Sequence, residues 1–366
     1  MKRALLLNQD WCHVVDRLGG AQAIEASARA TQAFRRARGL PGAVALLRLV
    51  LAYCLRQGGL RSTAAWASAI GLADISNVAL LNRLRGCGDW LGALVGSLLA
   101  AQAPVASRSR LVRLIDATAV PKAGAVARRG NGVWRVHSAF DLPAERFAGF
   151  AVSEEKGGER LDRIAVEPGE IRVADRAYMQ PDRIAAVLAA GGDVVVRSGW
   201  RNAAWLDAMG APFDLIAALC ESAEHGLIDR SIGVRRRGDA PPLRLRLVAV
   251  KKAPQAAEAA RRTARREAQK GGHQISQATL VAADWLILVT SLPQAAFATA
   301  DILALYRLRW RVELAFKRLK TLVGLKGPPG TDARSARPYV LAHLLMILLL
   351  EPLLGALDGS PRPKAA

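Results

Sequence analysis

The chain has 366 residues, 51% of them hydrophobic, and a net charge of +21 from 52 basic and 31 acidic side chains. That length allows two or three domains and a sizeable core, and that charge favours an anionic polymer or an anionic membrane surface as partner. Cys12, Cys54, Cys87 and Cys220 are scattered without metal spacing or C-x-x-C, which excludes a cysteine redox or zinc motif and points to a reducing compartment.

Lysine, arginine and four apolar residues open the chain after Met1, but Asn8, Gln9 and Asp10 interrupt them. The apolar run is too short for a signal-peptide core. Residues 1 to about 108 read as helical. Pro41 to Leu55 is a strongly apolar helix pattern. Ser62 is placed to cap a helix through Ala69, ended by Gly71, and Ser76 to cap a second over Asn77 to Arg85. The pair resembles a helix-turn-helix; the alternative is an ordinary helical bundle with an exposed basic edge.

From Arg110 the texture becomes strand-like. The runs are Leu111–Asp116, Gly132–Asp141, Phe147–Ser153 and Ile171–Asp175. Pro181 suits the first turn of a helix through Ala190, and Asp193–Arg197 is a fifth strand. These elements predict a mixed α/β sheet. Glu154, Glu155 and Glu159 surround Gly157-Gly158, a turn signal that predicts solvent exposure. Residues 200 to 283 break the rhythm. Leu243 to Val250 alternates as a half-exposed basic strand. Lys251 to Lys270 reads as a helix with seven bases and two acids, either a solvated face or a contact to phosphates. Asp284 to Thr290 returns to strand, and Ala298 to about Gly324 reads as one long helix.

Tyr339 to Leu357 is very apolar, but His343 and Glu351-Pro352 interrupt it, and its longest unbroken apolar run is the seven residues Leu344 to Leu350. A membrane span needs roughly 20 predominantly apolar residues. A buried C-terminal helix is expected, with a frayed tail from Gly359.

The long helix carries the most information. Tyr306, Arg309, Glu313 and Lys320 fall within about 60° of one another at the helical period. Leu305, Leu308, Val312, Phe316, Leu319 and Val323 form the adjoining apolar face. A carboxylate flanked by bases at the edge of a buried surface suits a metal-dependent phosphodiester site on DNA. Two further acids stand out. Asp116 ends the first strand, on the face of Val112 and Leu114, and Asp175 ends another, on the face of Ile171 and Val173. An acid in such a place is costly unless it is solvated, paired or metal-bound. Three carboxylates are able to hold two Mg²⁺ ions roughly 3.5–4 Å apart, and magnesium prefers such hard oxygen ligands. The five histidines show no H-E-x-x-H spacing, so a zinc hydrolase is not expected. His137 and Asp141 lie near the expected place of Asp116, either as supporting groups or as structural residues. Trp310 suits either DNA or a neighbouring helix.

Tyr306, Arg309, Glu313 and Lys320 match the Y-(2)-R-(3)-E-(6)-K signature, and the chain resembles bacterial insertion-sequence DDE transposases of that branch, the insertion-sequence-four-like family. Ile115-Asp116-Ala-Thr118 and Val173-Ala-Asp175-Arg-Ala-Tyr178 resemble the two aspartate motifs, with Ala117 and Ala177 where glycine is commoner. The resemblance covers roughly residues 40 to 355. It implies an α/β fold: a ribonuclease H-like catalytic core with a β-rich insertion, preceded by an all-helical N-terminal domain and followed by a C-terminal helix. The expected bounds are 1–108 for the helical DNA-binding domain, 109–199 and 284–325 for the core, 200–283 for the basic insertion and 326–366 for the C-terminal region.

The resemblance further implies that Asp116, Asp175 and Glu313 are catalytic metal ligands for Mg²⁺, with Mn²⁺ as a substitute. Arg309 and Lys320 become contacts to transposon-end phosphates, and Tyr306 another backbone contact. Hairpin-forming relatives stack a flipped base on a Trp in the strand before the signature helix, the place of Trp285; a plain core Trp is the alternative. The partners implied are the inverted-repeat ends of the element, target double-stranded DNA and a second copy of the chain in a synaptic dimer. No membrane is implied, and the location is the cytoplasm of a bacterium, on the nucleoid. Two rivals remain: a nuclease or resolvase on the same core, and a DNA-binding repressor derived from an inactive transposase.

Overall fold

The computed structural model describes residues 11–56, 58–101, 110–122, 132–142, 146–329 and 332–357. The readings of the first ten residues and of the tail from Gly359 lie outside them. After a helical segment at 11–17 come α1 (Gly20–Ala30), α2 (Ala43–Leu55), α3 (Leu60–Ala69), α4 (Asn77–Arg85) and α5 (Gly88–Ala101). Ser76 caps α4 as expected, accepting from the Ala79 amide at 3.2 Å. Ser62 does not cap α3. That helix begins two residues earlier, and the Ser62 hydroxyl donates back to the Gly59 carbonyl at 2.9 Å. Gly71 follows α3 at φ 68°, the left-handed conformation that lets a helix end and the chain turn.

α3 and α4 pack on each other, and the half-buried basic side chains of α4 bond to other parts of the chain. Arg83 donates to the Arg36 carbonyl at 2.7 Å and lies over the Phe34 ring. Arg85 pairs with Asp332 at 2.7 Å.

Among the described residues, nine strands form one sheet in the order β3-β2-β1-β4-β5-β9-β8-β7-β6. Their bounds are β1 (Val112–Pro121), β2 (Val133–Asp141), β3 (Arg146–Glu154), β4 (Ile171–Ala174), β5 (Asp193–Ser198), β6 (Trp205–Leu206), β7 (Leu227–Val234), β8 (Leu243–Lys251) and β9 (Trp285–Thr290). β1, β4 and β5 run parallel, and the other pairings are antiparallel. The crossover from β4 to β5 is α6 (Pro181–Ala189), with Pro181 in its first turn as expected.

The insertion is mixed rather than β-rich. It holds α7 (Leu215–Glu221), α8 (Pro254–Lys270) and α9 (Gln277–Ala283) beside its three strands. Those strands continue the core sheet, because β8 pairs with β9 from Arg246↔Thr290 to Lys251↔Trp285. β8 is less exposed than its alternation predicted. Arg246 is buried, donating to Asp229 and to the Phe297 carbonyl, each at 2.7 Å. Only Arg244 of that pair of arginines remains exposed.

The sheet has a core on each face. Leu114, Val136, Val173, Val195 and Leu288 face one core, shared with α2, α5, α10 (Thr299–Arg307), α11 (Trp310–Leu322) and α12 (Ala333–Leu357). Ile115, Ala139, Ala174, Val196 and Ile287 face the other, under α6 and α7. The alternation of side chains along each strand produces this split, and three layers result. The N-terminal helices and α12 therefore share a continuous core with the sheet. α12 is long and apolar enough to cross a membrane by length and composition, yet 67% of its apolar window is buried, against α5 and α2. The expected buried C-terminal helix is present and starts earlier, at Ala333.

Candidate active site

Asp116 and Asp175 come together through strand register. β1 and β4 pair in parallel through Ile115↔Ala174, and each aspartate is the next residue along. Adjacent strands lie about 4.8 Å apart, so the two backbones leave the pairing side by side. By alternation with Leu114 and Val173, both carboxylates belong to the face covered by α10 and α11. Asp116 does not end its strand. β1 continues to Pro121, still paired with β2, while β4 stops beside it. The aspartate sits where one neighbour is lost, which opens room at the carboxyl ends of the parallel strands.

Each aspartate is fixed locally. Asp116 Oδ1 accepts from the Ala117 amide at 2.8 Å. Asp175 Oδ1 accepts from the Ala177 amide at 2.8 Å and caps the short 3₁₀ turn Arg176–Tyr178. Burial pushes the Asp116 carboxyl up to about 6, with the neighbouring Asp175 and Glu313 charges adding to the rise. Mutual repulsion of buried carboxylates is what a bound cation relieves.

The long helix predicted over Ala298–Gly324 is two helices. α10 ends at Arg307 and α11 begins at Trp310. At the junction the amides of Leu308, Arg309, Arg311 and Val312 bond three residues back, at 3.0–3.2 Å. This tighter 3₁₀ winding turns the helix more per residue than the α period, so Tyr306 and Glu313 belong to separate helices, with Arg309 between them. Tyr306 is buried on α10, with the Arg309 guanidinium 5.9 Å from its ring centre. Arg309 Nη1 pairs with Glu313 Oε1 at 2.6 Å. Glu313 thus lies within Coulombic reach of Asp116 but is held by Arg309. Lys320 is exposed at the far end of α11, and Trp310 is 45% exposed.

Among the described residues no three His, Cys, Asp or Glu side chains form a ready cage. The donor chemistry nevertheless fits a hard divalent cation. Two adjacent carboxylates are preset, and Mg²⁺ keeps several of its own waters.

Trp285 is 3% exposed and packs in the second core, away from Leu114 and Val173. It also lines a cleft of about 630 Å³ between the strand ends and the α8–α9 pair, together with Asp175, Arg176, Arg197, Trp200 and Lys252. Burial and the nearby Arg197 push the Lys252 ammonium down to about 8. Sequence reasoning missed Arg197, Lys252 and Trp200 as cleft residues. Arg197 carried a usable signal, because it follows the apolar run Val194–Val196 as Asp175 follows Ile171–Ala174. Trp285→Phe is expected to cost about 1–2 kcal/mol through lost packing, measured by urea unfolding. An unchanged midpoint would place the indole outside the core.

Other expectations resolve as structural. His137 pairs in register with Ala117, not Asp116, so it faces away from the carboxylates. Its ring bonds to Ser153 Oγ at 2.8 Å, and burial with Arg163 and Arg135 pushes its pKa down to about 4. Asp141 shares that face, opposite Arg113. Glu154 is exposed as predicted, whereas Glu159 pairs with Arg135 and is largely covered.

The site is thus a mixed sheet carrying adjacent aspartates, with a glutamate-bearing helix above them. The transposase DDE domain family matches residues 107–327. The chain is 34% identical over 364 residues to the putative transposase InsL for insertion sequence element IS186A of Escherichia coli (strain K12), covering 97% of each chain. It is 34% identical over 367 residues to the transposase for insertion sequence element IS421 of Escherichia coli, again covering 97% of each. The chain belongs to the DDE transposases of bacterial insertion sequences.

Proposed function

We propose that the protein is a cut-and-paste transposase of the Y-R-E-K branch, acting in the bacterial cytoplasm on the terminal inverted repeats of its own element. The observation that supports this most is the register of Asp116 beside Asp175 under the helix of Glu313. Asp116, Asp175 and Glu313 would hold two Mg²⁺ ions, or Mn²⁺ in their place. Bound there, the ions supply charge neutralisation at phosphorus and an activated oxygen nucleophile. Water attacks the phosphorus at the element end, and the 3′-oxygen leaves and takes up a proton. The freed 3′-hydroxyl then attacks a target phosphate, displaces a target 3′-oxygen and joins the strands. Excision through a hairpin uses the same exchange within the element end.

In this reading Arg309 and Lys320 contact end phosphates, and Tyr306 braces Arg309 against the backbone of the DNA. Trp285, from the cleft wall, stacks on an extruded base, a contact worth roughly 1–3 kcal/mol. Strand transfer needs two ends held together, so a homodimer forms the synaptic complex. The basic face of α8, with Arg262, Arg265, Arg266 and Lys270 exposed, adds phosphate contacts whose strength falls with salt.

The test is Mg²⁺-dependent cleavage of DNA carrying the element's terminal repeats, comparing wild type with Glu313→Gln. Cleavage at the repeat ends and strand-transfer products are expected from wild type alone. Equal cleavage by both proteins would remove Glu313 from the mechanism. Cutting without joining would favour a nuclease, and specific binding without cleavage by wild type would favour a repressor.

A further inference from the structure

We propose that Arg309 is a latch on Glu313, and that a DNA phosphate opens it, so that DNA binding assembles the ion site. This rests on the metal-ligand reading of Asp116, Asp175 and Glu313 given above. The three acids are not equally prepared. Asp116 and Asp175 are set by strand register and by bonds to the Ala117 and Ala177 amides, each 2.8 Å. Glu313 has no such anchor. Its side chain is 55% exposed and pairs with Arg309 at 2.6 Å.

Arg309 is the better-held member of the pair. Its side chain is 22% exposed. Its guanidinium lies 5.9 Å from the centre of the Tyr306 ring. The tightened junction between α10 and α11 fixes its backbone. Glu313 is therefore positioned by Arg309, at the edge of the aspartate pair and turned toward a monovalent cation.

A guanidinium and a divalent ion compete for one carboxylate. Holding both cations against it places like charges together in a partly buried site. The exchange is favoured when Arg309 gains another anion. A DNA phosphate is the fitting one, because the guanidinium fork binds phosphate with two parallel bonds. Glu313 is then free to join Asp116 and Asp175. By linkage, DNA tightens ion binding by the same factor by which the ion tightens DNA binding. Without DNA the third ligand stays latched and idle hydrolysis is suppressed.

The test measures Mn²⁺ affinity by electron paramagnetic resonance on full-length wild type, Arg309→Gln and Asp116→Asn. Each is assayed with and without a short duplex, at duplex concentrations that saturate that protein by fluorescence anisotropy, after subtraction of Mn²⁺ held by DNA alone. In wild type the duplex is expected to tighten Mn²⁺ binding about five- to tenfold. Arg309→Gln is expected to bind Mn²⁺ several-fold more tightly than wild type without DNA, and the duplex is expected to add less than about twofold. If Arg309→Gln gains no affinity, or gains it while keeping the full duplex effect, the latch is overturned and the metal reading stands. If Asp116→Asn binds Mn²⁺ as tightly as wild type, the metal reading falls and the latch falls with it.

Discussion

Asp116→Asn is expected to make the metal-free protein more stable at pH 8 while abolishing DNA cleavage. In the folded chain burial, with repulsion from Asp175 and Glu313, pushes the Asp116 carboxyl up to about 6. The unfolded value is about 3.9. A carboxyl raised on folding contributes its stability below the unfolded value, where it is protonated in both states. That stability is lost as pH rises from about 4 through about 6. By pH 8 the ionised, repelled carboxylate costs about 1–3 kcal/mol, a penalty the neutral amide does not carry. Asn retains an oxygen for the Ala117 amide, so the local bond at 2.8 Å survives. Urea unfolding in EDTA at pH 4 and pH 8 measures the effect. The variant should match wild type at pH 4 and exceed it at pH 8. A constant difference at both pH values would show that the carboxyl is not strained by its neighbours. Such a trade between stability and chemistry is common where like charges are gathered for function.

Arg172→Ala carries the largest expected loss of stability, about 3–5 kcal/mol. Arg172 lies on β4, three residues before Asp175, and is fully buried. Its guanidinium pairs with the equally buried Glu170 and donates to the carbonyls of Leu161, Ile164 and Ala165. Truncation leaves three acceptors without their donor and a carboxylate with only Arg113, at 2.8 Å. Unpaired buried polar groups are expensive because water cannot reach them. The segment through Ala165 should detach from β4, and the turn that presents Asp175 should loosen with it. Urea unfolding and amide exchange at Val173–Asp175 report both effects. A loss below about 1 kcal/mol would mean that water replaces the guanidinium.

The three candidate acids were legible because each ends or interrupts an apolar pattern. Asp116 and Asp175 break period-2 runs, and Glu313 sits at the edge of a helical one. Such signals are local: they follow from where side chains fall along one element. The same logic placed Ser76 and Pro181 at helix starts. It failed for Ser62, because a capping residue type two positions inside a helix looks the same in sequence. It also failed at Leu308–Arg309, where no Gly or Pro marks the 3₁₀ junction. Basic residues were the hardest to judge. Arg83, Arg85 and Arg246 count equally in the net charge, yet they bond to carbonyls, to Asp332 and to Asp229.

By itself the sequence singled out three candidate acids and the apolar faces that build a two-sided sheet. Periodicity and residue type are sufficient for these, because they depend on neighbours within a few positions. Only the tertiary structure decided that Asp116 and Asp175 stand in register and that Trp285 packs in the second core while lining a cleft with Asp175. It also decided that Arg309 holds Glu313 and that the insertion extends the core sheet. These are pairings between distant segments, selected by how whole faces bury against one another, and no local spacing specifies them.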